Sequence, residues 1–145
     1  MSTALAKRAS VRAEEARVLD AREQRNKLRQ ELARHMSGRS LIELSLDVPR
    51  GVASNEDAEH LFLAGLQRLE EELGVAPSEM GEDVTGYYGL FVTDLPALLA
   101  RKRASRLEGQ ASWDHHLGIE CYGIAGSLGT TGKVPREAVG SAATR

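Results

Sequence analysis

Residues 41–48 alternate without a break: Ile42, Leu44, Leu46 and Val48 are apolar, and Glu43, Ser45 and Asp47 lie between them. A period of two collects the apolar set on one face only when the backbone is extended, so the segment predicts a strand with one buried side. Pro49-Arg50-Gly51 ends it, since proline has no amide for a sheet ladder and the Pro/Gly cluster marks a turn.

The segments around this strand read as follows. Residues 4–36 lack Gly and Pro and are rich in Ala, Arg, Glu and Leu, which predicts one long helix or two. Apolar positions are sparse there (Val11, Val18, Leu19, Leu28, Leu32), so docking is expected from about Val18 onward, and Gly38 is placed to stop the helix. After the strand, Ser54 and Asp57 resemble a capping box. Phe62, Gly65, Leu66, Leu69 and Leu73 then form a helical stripe closed by Gly74, with Gly65 expected to let a sheet approach closely. Residues 75–93 predict a hairpin whose weak first arm is Ala76–Met80, whose turn runs from Gly81-Glu82-Asp83 to Gly86, and whose second arm is Tyr87–Thr93. Asp94 is expected to cap a third helix carrying Leu95, Leu98, Leu99 and Leu107, with Pro96 in its first turn. Residues 115–124 predict the last strand, with Leu117, Ile119 and Cys121 on one side and His116, Gly118, Glu120 and Tyr122 on the other. The expected fold is α+β. Its order, β-α-β-β-α-β, is that of a ferredoxin-like antiparallel sheet with two helices on one face, with the long N-terminal helix as an addition.

The 145 residues suit one domain. Residues 1–17 are expected to be an exposed or frayed helical extension, 18–125 the α+β domain, and 126–145 a flexible tail rich in Gly, Ser, Thr and Ala. Charge is uneven: residues 1–39 hold ten Lys or Arg against five acids, 40–100 two against twelve, and 101–145 seven against four. Two basic segments around an acidic middle can frame an anion site, although exposed charge is also the normal state of a solvated helix face. Aromatic residues are not interleaved with the bases, which argues against a nucleic-acid groove. A lone cysteine, Cys121, and the lack of a signal-like or membrane-length apolar run make a cytoplasmic location the expectation.

Three short motifs lead elsewhere. Asp114-His115-His116 resembles the triplet of the DHH phosphoesterases, yet adjacent strand residues face opposite ways, so the two histidines are poorly placed to share an ion. One of them can still act alone as a general acid or base. Gly126, Gly129, Gly132 and Lys133 suggest a phosphate loop, but Ser127 and Val134 break the Walker pattern and Pro135 falls in the helix that should follow. Cys121, on an apolar strand face, reads as a buried structural thiol. Glu120 shares its face with His116 and Tyr122, where a carboxylate can hold a magnesium ion or activate a hydroxyl, or simply face solvent.

Several segments taken together resemble a known family. They are Ala21-Arg22-Glu23-Gln24-Arg25 in the first helix, Leu41-Ile42 through Pro49, Phe62, Gly65 and Leu69 in the next helix, the acid Glu108, and Gly118-Ile119-Glu120-Cys121 in the last strand. In order and spacing, over residues 18–125, they are similar to the holo-acyl-carrier-protein synthase of citrate lyase (apo-citrate lyase phosphoribosyl-dephospho-CoA transferase). The resemblance implies a nucleotidyltransferase-type reaction. Phosphoribosyl-dephospho-CoA passes from its triphosphate precursor to a serine of the lyase's acyl carrier protein, and pyrophosphate leaves. It further implies Glu120 and His115 as catalytic residues, Arg22 and Arg25 as phosphate ligands, and a possible Mg²⁺ held by Glu120 and Asp114, although no cofactor motif is evident. The expected partners are the acyl carrier protein and a dephospho-CoA nucleotide, with no nucleic acid and no membrane.

The chain departs from the family pattern at a basic position (Ala53), in Ala111-Ser112-Trp113-Asp114-His115-His116, where a His-Pro-Leu-Gly-Arg-Leu segment is expected, and at Gly118, where an acid is expected. The cysteine-rich end of some members is absent. Because these departures fall on chemical rather than scaffold positions, a second reading stands beside the first: a non-catalytic relative that binds a carrier protein or docks into a lyase-like complex.

Overall fold

The computed structural model describes residues 3–47, 56–108, 117–125 and 130–136. Eight elements follow in order: α1 (Thr3–His35), β1 (Ser40–Asp47), α2 (Glu56–Leu73), β2 (Glu79–Asp83), β3 (Gly86–Thr93), α3 (Ala97–Glu108), β4 (Leu117–Ala125) and β5 (Thr130–Lys133). The five strands form one antiparallel sheet in the order β2-β3-β1-β4-β5. The α+β class and the long N-terminal helix are as expected. The fifth strand falls in the segment expected to be a tail: Thr130–Lys133 pairs with Tyr122–Ala125 along the edge of β4 that faces away from β1.

The two faces of the sheet are covered differently. Ile42, Leu44, Leu46, Phe91, Leu117, Ile119 and Cys121 alternate onto one face, where the α2 stripe (Phe62, Leu66, Leu69, Leu73) and Ala100, Ala104 and Leu107 of α3 pack on them. The sheet meets α2 closely at Gly89 of β3, where a Cβ would collide with the Leu66 side chain. Gly74 ends α2 at φ +73, its amide donating to Glu70 O at 2.8 Å.

The opposite face is not open, which corrects the expectation of a single buried side for residues 41–48. Leu41, Leu90 and Val92 form a second cluster there, with Leu28 and Leu32 of α1 lying on it beside Tyr88, Tyr122 and Ile124. α1 is therefore a second layer, and Glu43, on the polar side of β1, is only 6% exposed beneath it.

Two boundaries also move. Gly81, Glu82 and Asp83 belong to β2, and the hairpin closes through Val84 and Thr85 with Asp83 opposite Gly86. Asp83 makes that turn itself, its Oδ1 accepting the Thr85 amide at 2.8 Å and the Thr85 hydroxyl at 2.6 Å. α3 begins at Ala97, three residues beyond Asp94; Pro96 O accepts the Ala100 amide, and the Thr93 hydroxyl accepts the Leu95 amide. Proline fits there because the first helical amides have no partner within the helix. The expected cap at Ser54 lies outside the described residues. Among the described residues, no helix is long and apolar enough to cross a membrane.

Candidate functional site

A polar constellation forms where α1 crosses the sheet. Arg25 and Arg29 are four residues apart and so project from one side of the helix. Leu28 between them and Leu32 beyond bring that side down onto the sheet. Arg25 grips Asp83 through two contacts, Nε to Oδ2 at 2.6 Å and Nη2 to Oδ1 at 3.0 Å. Its Nη2 also donates to the Thr85 hydroxyl at 2.7 Å, and its Nη1 reaches Glu43 at 3.4 Å. Arg29 Nη1 donates to the other Glu43 oxygen at 2.5 Å. Each guanidinium lies over a tyrosine ring, Arg25 on Tyr88 and Arg29 on Tyr122, both 4.8 Å from the centroid.

The electrostatics follow from this packing. Burial alone would raise the Asp83 pKa, but hydrogen bonds from Arg25 and Thr85 outweigh it and hold the carboxyl below its ordinary range. Burial opposes the charge on Arg25, and Asp83 and Glu43 overcome it, so its pKa is raised. Burial pushes the Tyr88 and Tyr122 phenols up, with nearby carboxylates adding to the shift, so both rings stay protonated and neutral. Two cations and two carboxylates neutralise one another within this cluster.

Glu120 lies on the same sheet face. Its Cα pairs with that of Glu43 across β1 and β4, which sets two carboxylates side by side. Such a like-charge pair needs cations on both members. Arg25 and Arg29 serve Glu43, and Lys133 of β5 serves Glu120 at 3.1 Å. The two carboxylates differ in access: the side chain of Glu43 is 8% exposed and that of Glu120 35%.

Of the residues expected in the site, Arg25 and Glu120 are thus on one face, under and beside α1. Arg25 is held by Asp83, Thr85 and Glu43. Arg22 is exposed and lines a shallow groove on α1 with Val11, Glu14, Val18 and Leu19. Asp114 and His115 lie outside the described residues. Sequence reasoning misses Glu43, Arg29 and Asp83, and it meets Lys133 only in a broken Walker pattern. The spacing of Arg25 and Arg29 hints at a shared helical side, but the pairing of Glu43 with Glu120 requires a strand register that no local pattern carries.

Beside Arg25, a cavity of about 470 Å³ opens between α1 and the β2–β3 turn, lined by Arg17, Gln24, Lys27, Asp83 and Tyr88 among others. Its rim mixes cations with acids, and one wall is the Tyr88 ring.

A second ionic cluster lies on the other face. Arg101 of α3 is 2% exposed; its Nη1 donates to Ile119 O at 3.2 Å, lies 3.7 Å from Cys121 Sγ and sits 3.5 Å from Glu108. Arg136, beyond β5, reaches the other Glu108 oxygen at 3.0 Å. Burial, the largest influence, pushes the Cys121 thiol up despite the neighbouring Arg101, which matches a structural thiol rather than a nucleophile.

Among the described residues, no three His, Cys, Asp or Glu side chains converge as metal ligands. Mg²⁺ held chiefly by substrate phosphates needs only one or two protein carboxylates. Half-exposed Glu120 suits that role, whereas Glu43 is closed off by two arginines. Among the described residues, the donor set fits an ion that arrives with a phosphate ligand.

No curated protein and no solved structure matches the chain. The family model of apo-citrate lyase phosphoribosyl-dephospho-CoA transferase (CitX) matches residues 14–143. That span includes the arginines of α1, the paired carboxylates of β1 and β4 and the lysine of β5, and on that match the chain belongs to the apo-citrate lyase phosphoribosyl-dephospho-CoA transferase family.

Proposed function

We propose that the protein transfers phosphoribosyl-dephospho-CoA from its triphosphate precursor to a serine of the citrate lyase acyl carrier protein. The observation that carries this reading is the family match over residues 14–143. The geometry supports it with an accessible carboxylate, Glu120, paired with Lys133 on a sheet face that also carries Tyr88 and Tyr122.

In the reaction, the serine Oγ attacks the phosphorus nearest the ribose. A new O–P bond forms, the bond to the outer two phosphates breaks, and pyrophosphate leaves. The hydroxyl proton passes to a carboxylate, a role that falls to Glu120. A Mg²⁺ carried by the phosphates would offset their charge, held mainly by phosphate oxygens and water, which leaves Glu120 to act as the base. Arg25 has a supporting part: it fixes the β2–β3 turn against α1 through Asp83 and keeps the Tyr88 wall in place. Arg22, exposed at the edge of α1, can meet phosphate or carrier protein, as can Arg17 and Lys27 at the cavity rim.

The test incubates the protein with the triphosphate precursor, Mg²⁺ and apo carrier protein and weighs the carrier. A gain equal to the prosthetic group on the carrier serine supports the transferase. Carrier binding without that gain supports the non-catalytic relative. Glu120→Gln should lower transfer by at least about 100-fold, the scale of general base catalysis; unchanged transfer removes Glu120 from the site.

A further inference from the structure

The sheet face that holds Glu120 needs a cation able to meet incoming phosphates, and the two arginines pointing into it are committed. Arg25 and Arg29 have side chains only 11% and 15% exposed, and both are bound to carboxylates. Releasing either would leave Glu43 or Asp83 buried without its partner. Lys133 differs. Its side chain is 61% exposed, and the carboxylate it meets, at 3.1 Å, is the half-exposed one of Glu120.

β5 sets this position. Lys133 pairs with Tyr122 in the β4–β5 ladder, so Glu120, two residues before Tyr122, is its diagonal neighbour on the same face. The next pair in the ladder is Gly123 with Gly132, and a Cβ on Gly132 would meet nothing within 4 Å. That open space lies on the face away from the lysine, since successive strand residues alternate, so the room beside Lys133 is read from its own 61% exposure. An exposed Lys–Glu pair adds little to stability, so it opens at small cost.

We infer that Lys133 is a phosphate-binding residue of the transferase site, exchanging Glu120 for the pyrophosphate portion of the substrate. The inference rests on the transferase reading and adds a residue to it. When the triphosphate arrives, the ammonium group moves from the carboxylate to the phosphate oxygens. This does two things at once. It places positive charge where the leaving pyrophosphate gains negative charge, and it frees Glu120 to accept the serine proton. Lys133 keeps its own protons throughout. The serine proton goes to Glu120, and the bond electrons leave with pyrophosphate.

The test compares the wild type with Lys133→Met and Lys133→Arg. Calorimetric titration with inorganic pyrophosphate reads binding alone, without any turnover. Lys133→Met should weaken pyrophosphate binding by about tenfold or more, Lys133→Arg should restore most of it, and neither should shift the melting temperature. In the transfer assay, Lys133→Met should raise KM for the triphosphate and also lower kcat, so that kcat/KM falls further than kcat, because the ammonium group meets phosphate in the bound substrate and again as pyrophosphate leaves. Equal pyrophosphate binding by wild type and Lys133→Met overturns the inference, whether or not transfer is seen. Absence of transfer by the wild type with intact, lysine-dependent pyrophosphate binding overturns the transferase reading and leaves the phosphate site standing.

Discussion

Glu43 shows how much a single carboxylate can organise when it is buried. Its two oxygens take one guanidinium each, Arg25 on Oε2 and Arg29 on Oε1, and so fix the spacing of both arginines against the tyrosine rings. Removing a buried partner of this kind leaves charges that solvent cannot reach. Glu43→Gln should therefore cost about 3 kcal/mol, the usual penalty for breaking a buried pair from one side. In urea unfolding the midpoint should fall while the slope is unchanged. A midpoint within experimental error of the wild type would mean that Asp83 alone anchors α1. None of this is visible in residues 41–48 as a string. The alternation there marks Glu43 as polar and outward, which is right about the face and silent about what lies over it.

At the scale of elements, the contacts fall into two kinds, and they were not equally legible. The α2 stripe and the apolar sides of β1 and β4 were readable because leucine, isoleucine and phenylalanine repeat at the helical and strand periods. Their partners are the residues those periods select. The docking of α1 uses another vocabulary. Leu28 and Leu32 supply little apolar surface, Ala21 and Ala33 permit close approach, and Arg25 and Arg29 supply the remaining contacts. A hydrophobic pattern cannot register a helix held down largely by guanidinium groups. The turn at 84–85 lies beyond the expected one for a related reason: Gly81-Glu82-Asp83 has turn composition, but Asp83 closes the turn from the last position of β2. β5 carries no readable signal because four residues, Thr-Thr-Gly-Lys, are too short to alternate visibly. Of the candidate site, Glu120 and Arg25 can be named from the sequence. Glu43, the register partner of Glu120, cannot, and neither can the place of Lys133 beside it.

The element-scale packing also carries a test. Gly89 faces α2, where an added methyl would strike Leu66. Gly89→Ala should destabilise the protein by about 1–3 kcal/mol, the usual cost of overpacking. Pairing it with Leu66→Ala should give a double variant less destabilised than the sum of the two single changes. Strict additivity in chemical denaturation would show that α2 shifts away freely at that point.

For the molecule as a whole, the Arg25–Asp83 grip makes the attachment of α1 sensitive to acid. The folded carboxyl of Asp83 lies below its ordinary value of 3.8. The stability it contributes is therefore complete above that value and disappears as pH falls through the lowered one. Melting temperature measured across an acid series should fall steeply below about pH 4 in the wild type. Asp83→Asn should start lower near neutrality and show a flatter acid limb. Parallel limbs in the two proteins would assign the acid sensitivity to other carboxylates.

β1 is the middle strand of five, hydrogen-bonded to β3 on one side and β4 on the other, with a helical layer above and below. A strand so enclosed breathes less than any edge, and Glu43 is mounted at its midpoint. The charged hub on the α1 side is thus carried by a strand paired along both edges, the kind that opens least, while Lys133 sits on an edge strand paired along one. Rigid orientation and exposed reach are divided between two strands of the same sheet.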